Sequence, residues 1–354
     1  MRLSRPRPGK ESSASWSARC PIQPRKRKPE HSSKPPVSRI RSCENIELEP
    51  DSLVQLEPRS PALPRLPKWL RKNTTHFEEV HALKTELRRL NLHTVCESAR
   101  CPNMHECFAR GTATFMILGN LCTRGCGFCS VPKGSPHKHE FALDPNEPAN
   151  VARMAADLKL RYVVITSVNR DDLADGGSTH FAETVHGVRR ALPNARVEVL
   201  TPDFCGDLAA VARVLDAGPD VFNHNMETIE RLYRRVRPQA NYQQSLEVLR
   251  FGKSYRPDIL TKSGLMAGLG EEPHEVDQLL RDLRDVDVDV ATIGQYLQPT
   301  RRNLSVASYI TPAQFAAYRD YGLSIGFKNV FSGPLVRSSY MADQVNEEAS
   351  RIPA

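Results

Sequence analysis

The sequence predicts an α/β protein whose body is an incomplete (β/α)6 TIM-like barrel, with a cysteine-rich N-terminal extension and a C-terminal segment that closes the barrel. Between residues 113 and 310, six short apolar runs alternate with amphipathic helices, the pattern of parallel strands joined by helical crossovers. No glycine-rich dinucleotide fingerprint follows the first run, which disfavours an open doubly wound sheet. Polar residues gather directly after several runs, as they do at the C-terminal ends of barrel strands.

The first 65 of the 354 residues form a basic tail that is predicted to be disordered. They contain 14 of the 49 Lys and Arg residues but only 7 of the 41 Asp and Glu residues, so the rest of the chain is nearly neutral. Their 11 prolines and 11 serines leave too few apolar residues for a core. Their Arg- and Ser-rich start is typical of organellar transit peptides, although the prolines count against a targeting helix. We therefore expect a cytoplasmic protein if it is bacterial, and a mitochondrial or plastid protein if the tail is a transit peptide.

Composition also bears on the protein's partners. No run approaches 18 apolar residues, so we expect neither a transmembrane helix nor a membrane partner. Because the positive charge belongs to the tail, we expect no nucleic-acid partner. Six of the nine cysteines lie between residues 96 and 129 of a long chain that opens without a secretory signal, which favours a metal site over disulfides.

The elements are predicted in chain order as follows. Order begins near Leu66, and apolar residues at helical spacing predict a helix over 75–90 within an extension of residues 66–112. The six predicted strands of the 113–310 barrel are 115–118, 162–166, 197–200, 221–223, 259–261 and 292–297. The helices predicted among them are 147–159, 179–191, 207–216, 227–236, 241–255 and 273–285. A last helix over 311–324 begins the C-terminal segment, 311–354.

A cysteine triplet with the spacing CxxxCxxC directly follows the first predicted strand. Cys122, Cys126 and Cys129 can hold three irons of a 4Fe–4S cluster on one loop, which leaves the fourth iron without a protein ligand. An open position on a metal centre is where a substrate or cofactor binds. The spacing therefore predicts a reactive cluster at this end of the barrel.

Another triplet, with the spacing Cx4Cx5C, lies upstream. Cys96, Cys101 and Cys107 would form a zinc site with His105, but the spacing lacks the tight CxxC pairs of zinc ribbons. We favour an auxiliary iron–sulfur cluster, whose fourth ligand must come from elsewhere. Met104 and His105 are interpreted as packing residues.

The two triplets together resemble the lipoyl synthase family of the radical S-adenosylmethionine (SAM) superfamily. CxxxCxxC is similar to the superfamily signature, and the resemblance becomes specific with the upstream CESARCPNMHEC and the C-terminal RSSY at 337–340. Further matching stretches lie at 113–116, 166–177, 223–227, 261–270 and 294–299. The resemblance covers about residues 66–345, and it fails at 303–306, where NLSV replaces the HLPV of many members.

The resemblance implies a sulfurtransferase that inserts sulfur at carbons 6 and 8 of an octanoyl chain carried on a lysine of a lipoyl carrier domain. It implies two 4Fe–4S clusters and SAM, which is cleaved to a 5′-deoxyadenosyl radical, with the auxiliary cluster as sulfur donor. Carrier domains are expected on 2-oxoacid dehydrogenase E2 subunits and the glycine cleavage H protein. Further implied partners are a flavodoxin- or ferredoxin-type electron donor and an iron–sulfur carrier that rebuilds the auxiliary cluster.

The resemblance also assigns ligands. Cys122, Cys126 and Cys129 match the triplet of the SAM-binding cluster, and Cys96, Cys101 and Cys107 match that of the auxiliary cluster. Ser339 of the RSSY motif matches the fourth auxiliary ligand. A serine oxygen is a harder donor than thiolate, so this ligand is expected to be labile.

Other candidate site residues rest on their positions alone. The polar residues expected to contact SAM follow predicted strands, where a structural role is an equal alternative: Asn169, Arg170, Glu227, Lys262 and Gln295. Arg337 is expected to act in catalysis with Ser339 as a carboxylate clamp, or else to position the serine loop. His224 is interpreted as a satisfied strand-end histidine, and Cys205 as a buried thiol.

Two alternative functions stay open. One is another twin-cluster radical SAM enzyme that inserts sulfur, such as a methylthiotransferase or a biotin synthase relative. The order of the triplets and the RSSY motif favour the lipoyl synthase family over it. The other alternative is a zinc-binding interaction module with a basic nucleic-acid arm, which iron and sulfide analysis would separate.

Overall fold

A computed structural model describes residues 66–71, 77–98, 101–109, 112–135 and 142–340, so the predicted tail 1–65 lies outside the described residues. Its centre is one eight-stranded sheet whose strand order follows the chain order. The strands are β1 (His93–Thr94), β2 (Thr112–Ile117), β3 (Tyr162–Ser167), β4 (Arg196–Leu200), β5 (Val221–Asn223), β6 (Leu260–Ala267), β7 (Val290–Gln295) and β8 (Asn329–Gly333). All neighbours from β2 to β8 are parallel, whereas β1 pairs antiparallel with β2. Within the described residues β1 and β8 are edge strands, so the barrel is incomplete.

Ten helices are described. Three precede the parallel strands, and most of the others connect them: α1 (Phe77–Arg89), α2 (Val95–Ser98), α3 (Met104–Ala109), α4 (Glu147–Asp157), α5 (Ser178–Ala191), α6 (Leu208–Asp216), α7 (Tyr233–Val236), α8 (Tyr242–Tyr255), α9 (Pro273–Arg284) and α10 (Pro312–Ser324). Local sequence explains several helix starts. The side chains of Asp207, Asn241 and Thr311 accept hydrogen bonds from first-turn amides of α6, α8 and α10.

The core lies between the sheet and its covering helices. Val197 and Val199 of β4 belong to this core, while Glu198 between them points to the opposite face, inside the barrel. There Glu198 accepts hydrogen bonds from Lys262 on β6 at 3.1 Å and from Tyr162 on β3 at 2.8 Å. The barrel interior therefore holds a buried polar network beneath its C-terminal mouth.

The predicted partial barrel is confirmed, with differences at three elements. Each of the six predicted strands corresponds to an observed one, and β8 adds a seventh parallel strand beyond residue 310. β6 continues to Ala267, well past the predicted end at 261. Its inward-facing polar residues can be buried because they form hydrogen bonds inside the barrel, as Lys262 does with Glu198. The predicted helix 227–236 is wrong. Glu227 has φ +65°, and only a 3-10 turn and the short α7 follow it.

No described helix combines the length and the apolar character needed to cross a bilayer.

Candidate active site

The CxxxCxxC triplet lies on the loop that follows β2. Leu118 (φ 68°) and Gly119 (φ 85°) turn the chain sharply, and the buried Glu147 carboxylate accepts hydrogen bonds from their amides at 2.8 and 3.3 Å. The loop then crosses the C-terminal ends of the parallel strands, where Thr123 N–H donates to Asn169 O at 3.1 Å. The three thiols are free and line a cavity of about 480 Å³: Cys122, Cys126 and Cys129.

Arg124 holds this loop from the inside. Its buried guanidinium donates two hydrogen bonds to Asp171, at 2.7 and 2.9 Å, and two to Asp203, at 2.9 and 2.6 Å. Burial alone would lower the pKa of Arg124, but the two carboxylates outweigh burial and raise that pKa. Burial would likewise raise the pKa of Asp203, yet the guanidinium lowers it to about 2. This charged network ties the loop to the ends of β3 and β4.

Backbone contacts hold the same loop from the outside. Gly127 N–H donates to Val236 O at 2.9 Å, and Gly127 O accepts from Leu304 N–H at 3.0 Å. The Asn303 amide donates to Gly127 O and Cys129 O at 3.3 and 2.9 Å. The segment that departs from the family pattern therefore supports the cluster loop directly.

The thiols of this loop fit an iron–sulfur cluster. Burial raises the pKa of Cys126, against the opposing charge of Arg237, and raises the pKa of Cys129 to about 11. Both thiols must lose their protons to become metal ligands, so cluster binding would release protons. Three thiols on one loop around one cavity are the donor set that such a cluster takes.

The upstream triplet lies around α2 and α3. The pKa of the buried Cys96 is raised well above its usual value by a hydrogen bond to Cys101, then by burial and by the charges of Cys101 and Cys107. Met104 packs with Cys96 and Cys101, which confirms its predicted packing role. The three thiols therefore share one environment, as a common cluster would require.

The C-terminal segment folds back onto this triplet. Asn103 Nδ2 donates to Leu335 O at 2.6 Å, and the Tyr340 hydroxyl lies 3.2 and 3.3 Å from the two carboxylate oxygens of Glu106. Arg337 lines the cavity, and burial lowers its pKa while the charge of Cys101 opposes that shift. The structure thus brings Arg337 close to the upstream triplet.

Ser338 and Ser339 occupy the turn that Tyr340 N–H closes on Arg337 O at 2.9 Å. Ser338 lines the cavity, and Ser339 is half-buried beside it. Gly294 of β7 permits this approach, because a Cβ there would lie 2.0 Å from Val336 O. The serine segment is therefore seated on β7 at the barrel mouth.

Unpartnered polar atoms mark the cavity wall. Five lining residues each have a buried polar atom with no hydrogen-bond partner among the described residues: Ser167 Oγ, Asn169 Oδ1, Thr201 Oγ1, His224 Nε2 and Asn225 Oδ1. A buried polar atom left unpaired costs about 1–3 kcal/mol, so a ligand with matching polar groups would recover that free energy. The amino, hydroxyl and adenine groups of SAM are of this kind.

His224 is the least expected member of this set. Its Nδ1–H donates to Thr201 O at 2.9 Å, which leaves Nε2 as a hydrogen-bond acceptor. Burial lowers the pKa of His224 to about 4, and the charge of Arg237 adds to that shift. The interpretation as a fully satisfied histidine is therefore wrong for one of its two nitrogens.

Glu227 also lines the cavity. Its backbone is attached to β6, since its N–H donates to Gly264 O and its carbonyl accepts from Met266 N–H, both at 2.9 Å. Burial raises the pKa of its carboxyl, while Arg237 and a 3.0 Å hydrogen bond from Asn225 oppose the increase. Asn169 and Glu227 are thus the two predicted SAM ligands that line the cavity and whose side chains are not taken up by backbone hydrogen bonds.

The other predicted SAM ligands are engaged elsewhere. Arg170 is buried and donates to both carboxylate oxygens of Asp172, at 2.9 and 2.8 Å, away from the cavity-lining set. Lys262 lies inside β6, which continues to Ala267, and its side chain therefore points into the barrel rather than into a loop. There it is fully buried in an ion pair with Glu198. Gln295 lines the cavity, but its amide bonds the backbone at four positions, including Ile310 N–H at 2.8 Å. It therefore holds the loop after β7.

Ser167, Thr201 and Asn225 were not predicted as site residues from the sequence, and Cys205 departs from its prediction. Thr201 directly follows β4, so the strand-end rule that selected Asn169 could have found it. Cys205 was expected to be buried but is exposed, with its Sγ 3.3 Å from Asp171 Oδ1. In the described ranges no three His, Cys, Asp or Glu side chains are grouped to hold a single metal ion.

Comparison with known proteins gives concordant matches. Residues 116–283 match the radical SAM superfamily, and residues 44–101 match the N-terminal domain of lipoyl synthase of that superfamily. The chain is 54% identical over 285 residues to the lipoyl synthase of Rubrobacter xylanophilus, covering 80% of this chain and 88% of that protein. It is 51% identical over 286 residues to that of Thermus thermophilus, with 80% and 88% coverage.

A solved structure supports the fold alone. The FeFe-hydrogenase maturase HydG of Carboxydothermus hydrogenoformans superposes with a TM-score of 0.50 at 14% identity, covering 70% of this chain and 63% of that one.

The match to the N-terminal domain of lipoyl synthase begins at residue 44. The family resemblance therefore extends upstream of residue 66, into the predicted tail.

Proposed function

Since the chain belongs to the lipoyl synthase family, whose members are sulfurtransferases of the radical SAM superfamily, we propose how its residues divide the work of inserting sulfur into a protein-bound octanoyl chain. Cys122, Cys126 and Cys129 hold the SAM-binding 4Fe–4S cluster. Cys96, Cys101, Cys107 and Ser339 hold the auxiliary cluster. One observation carries this assignment: a single cavity is bordered by the loop of the first set and by Pro102, Arg337 and Ser338 beside the second.

When bound, SAM and the two clusters supply the carbon-centred radical chemistry and the sulfur for carbons 6 and 8 of the octanoyl-lysine. The residues of the chain bind, orient and exclude water. Apolar side chains of the cavity wall suit an octanoyl chain, among them Val95, Met116, Phe128, Leu265 and Leu297. A wall of this kind keeps water away from reactive species.

Polar residues of the same cavity suit SAM. We propose that four residues form hydrogen bonds with SAM, because each has a buried polar atom without a hydrogen-bond partner among the described residues: Asn169, Thr201, His224 and Asn225. Glu227 accepts from SAM hydroxyl or amino groups. Arg170 and Lys262 lie outside the cavity lining, and the amide of Gln295, which lines it, is bonded to the backbone, so we assign no SAM contact to these three residues.

Ser339 serves as the labile fourth ligand of the auxiliary cluster, and Arg337 positions the serine turn and clamps a carboxylate. The support is the pair of hydrogen bonds that ties the segment to the upstream triplet, from Asn103 to Leu335 and between Tyr340 and Glu106. Ser339→Ala should lower sulfur insertion while SAM cleavage persists. Ser338→Ala is the matched control, and an equal loss in both variants would overturn the ligand assignment.

Family membership implies a lipoyl carrier protein as substrate, and the specific partners are our proposal. We propose octanoylated carrier domains of 2-oxoacid dehydrogenase E2 subunits and the glycine cleavage H protein as substrates. A flavodoxin- or ferredoxin-type donor supplies electrons, and an iron–sulfur carrier rebuilds the auxiliary cluster. Since the relatives named above are bacterial proteins, we propose the cytoplasm as the location, with an organelle as the alternative if the tail is a transit peptide.

Anaerobic reconstitution with an octanoylated carrier peptide and SAM tests the assignment. Cys122→Ala should lose SAM cleavage, whereas Cys101→Ala should keep SAM cleavage and lose sulfur insertion. Each variant should retain roughly half of the iron of the unmodified protein, because each triplet serves its own cluster. Loss of all iron from either single variant would contradict the two-cluster assignment.

A further inference from the structure

Five exposed cations lie on segments that contact the cluster loop: Lys133, Arg234, Arg235, Arg301 and Arg302. We call this set the basic rim. Its members come from three segments that are distant in sequence, so their approach to one loop is a consequence of the fold.

Each segment is fastened to the loop near a cysteine. Lys133 Nζ donates to Cys126 O at 3.2 Å, and the backbone of Lys133 bridges to Cys122. Arg234 and Arg235 lie on α7, whose Val236 O accepts from Gly127 N–H. Arg301 and Arg302 directly precede Asn303, which donates to Cys129 O. Each of the three rim segments is therefore hydrogen bonded to the loop that carries the three thiols.

The rim charges are available to a partner. Among the residues that the structure describes, none of the five forms an ion pair with an acidic side chain, whereas neighbouring Arg231 is paired with Glu275 at 2.7 Å. Glu230 is an exposed acid one turn before Arg234. Because the chain beyond the tail is nearly neutral, five cations that have no ion pair among the described residues are a local concentration of positive charge.

We infer that the basic rim docks an acidic one-electron carrier protein that reduces the cluster held by Cys122, Cys126 and Cys129. This inference rests on the proposed function. In the step, the carrier loses one electron and the cluster gains one, and no bond forms or breaks. Complementary charge accelerates such encounters, and electron-transfer complexes need only a small interface.

The position of the rim favours an electron carrier over the octanoylated carrier domain. Apart from Lys133, the rim residues do not line the cavity, so a protein seated on them reaches the outer side of the loop. An electron can cross the loop from there. An octanoyl-lysine must instead enter the cavity.

The test compares two charge reversals that are equal in size. Arg234→Glu/Arg235→Glu alters the rim, and Arg153→Glu/Arg190→Glu makes the same change at exposed positions on α4 and α5. Binding of oxidised flavodoxin to the reconstituted enzyme is measured at low and high salt. SAM cleavage is then measured with reduced flavodoxin and, separately, with dithionite.

The rim variant should bind flavodoxin at least about 10-fold more weakly at low salt, and the difference should shrink at high salt, as expected for exposed charges. Its flavodoxin-driven SAM cleavage should fall, while dithionite-driven cleavage stays at the unmodified level. The control variant should match the unmodified enzyme in all three measurements.

Unchanged flavodoxin binding in the rim variant would overturn the inference. So would an equal loss with dithionite, or weakened binding of the octanoylated carrier domain in place of flavodoxin. The proposed function fails separately, if the unmodified enzyme with dithionite cleaves no SAM and inserts no sulfur.

Discussion

Lys262→Met should destabilise the protein strongly without a specific effect on SAM binding. Lys262 and Glu198 are both 0% exposed, and the two carboxylate oxygens each lie 3.1 Å from the ammonium. Methionine fills a similar volume but leaves Glu198 charged inside the barrel. Removing one partner of a buried ion pair costs about 3–5 kcal/mol, since the remaining charge is uncompensated.

Part of this loss should be recoverable. Glu198 also accepts hydrogen bonds from Tyr162 and Asn223, each at 2.8 Å. In Lys262→Met/Glu198→Gln no buried charge remains. The amide oxygen can accept from Asn223, and the amide NH2 can donate to the Tyr162 hydroxyl, which accepts as well as donates. We expect the double variant to regain about half or more of the free energy of unfolding that the single variant loses.

Urea unfolding of the reconstituted protein under anaerobic conditions measures the free energy of unfolding of each variant. SAM affinity is measured separately, without urea. Conversely, a Lys262→Met protein of unchanged stability with SAM affinity about 10-fold lower would refute this reasoning, because a loss of about 1.4 kcal/mol in binding alone indicates a direct SAM contact. Lys262 would then return to the set of SAM ligands.

Three further predictions concern the cavity wall and the cluster loop. Gly294→Ala should displace Val336 O, which would lie 2.0 Å from the new Cβ, so sulfur insertion should fall more than SAM cleavage when both products are quantified. Asn303→Ala should remove two hydrogen bonds from the cluster loop and lower the stability of that loop by about 1–3 kcal/mol. An iron-release assay should then show faster loss of the cluster that this loop holds. The pKa of His224 lies near 4 in the folded protein against 6.5 normally, so the unfolded state binds its proton first and stability should drop by up to about 3 kcal/mol as pH falls from 6.5 to 4. His224→Gln should flatten that dependence in urea unfolding, and an unchanged slope would contradict it.

Sequence patterns predicted the barrel strands because their outward faces are apolar and their neighbours are helices of matching length. They failed where a strand carries polar residues into the interior. Lys262 and Ser263 look like a loop in sequence, yet β6 runs to Ala267 because Glu198 and the His224 carbonyl accept their hydrogen bonds. Such partners are distant in sequence and cannot be read from a local window.

The candidate site shows the same division. The spacing of the cysteines identified two triplets, since each is a local pattern with a specific chemical use. The unpartnered atoms of Thr201, His224 and Asn225 could not be identified in that way, because whether a polar atom has a partner depends on the completed fold. Sequence spacing can therefore propose ligands whose pattern is local, but it cannot show which polar atoms the fold leaves without a partner.

The two cluster sites differ in how the fold holds them, and the difference matches their proposed uses. The CxxxCxxC loop is fixed by four charged hydrogen bonds from Arg124 and by backbone bonds from α7 and the segment 303–304. A cluster that is reduced and reoxidised in every turnover needs such a rigid site. The C-terminal segment meets the upstream triplet through Asn103 and through Tyr340 at Glu106, with no charged pair in those two contacts. Hydrogen bonds of this kind contribute about 1–3 kcal/mol each. If the auxiliary cluster gives up its sulfur and must be rebuilt, we expect it to be reached at the serine turn, which lies beside these two contacts.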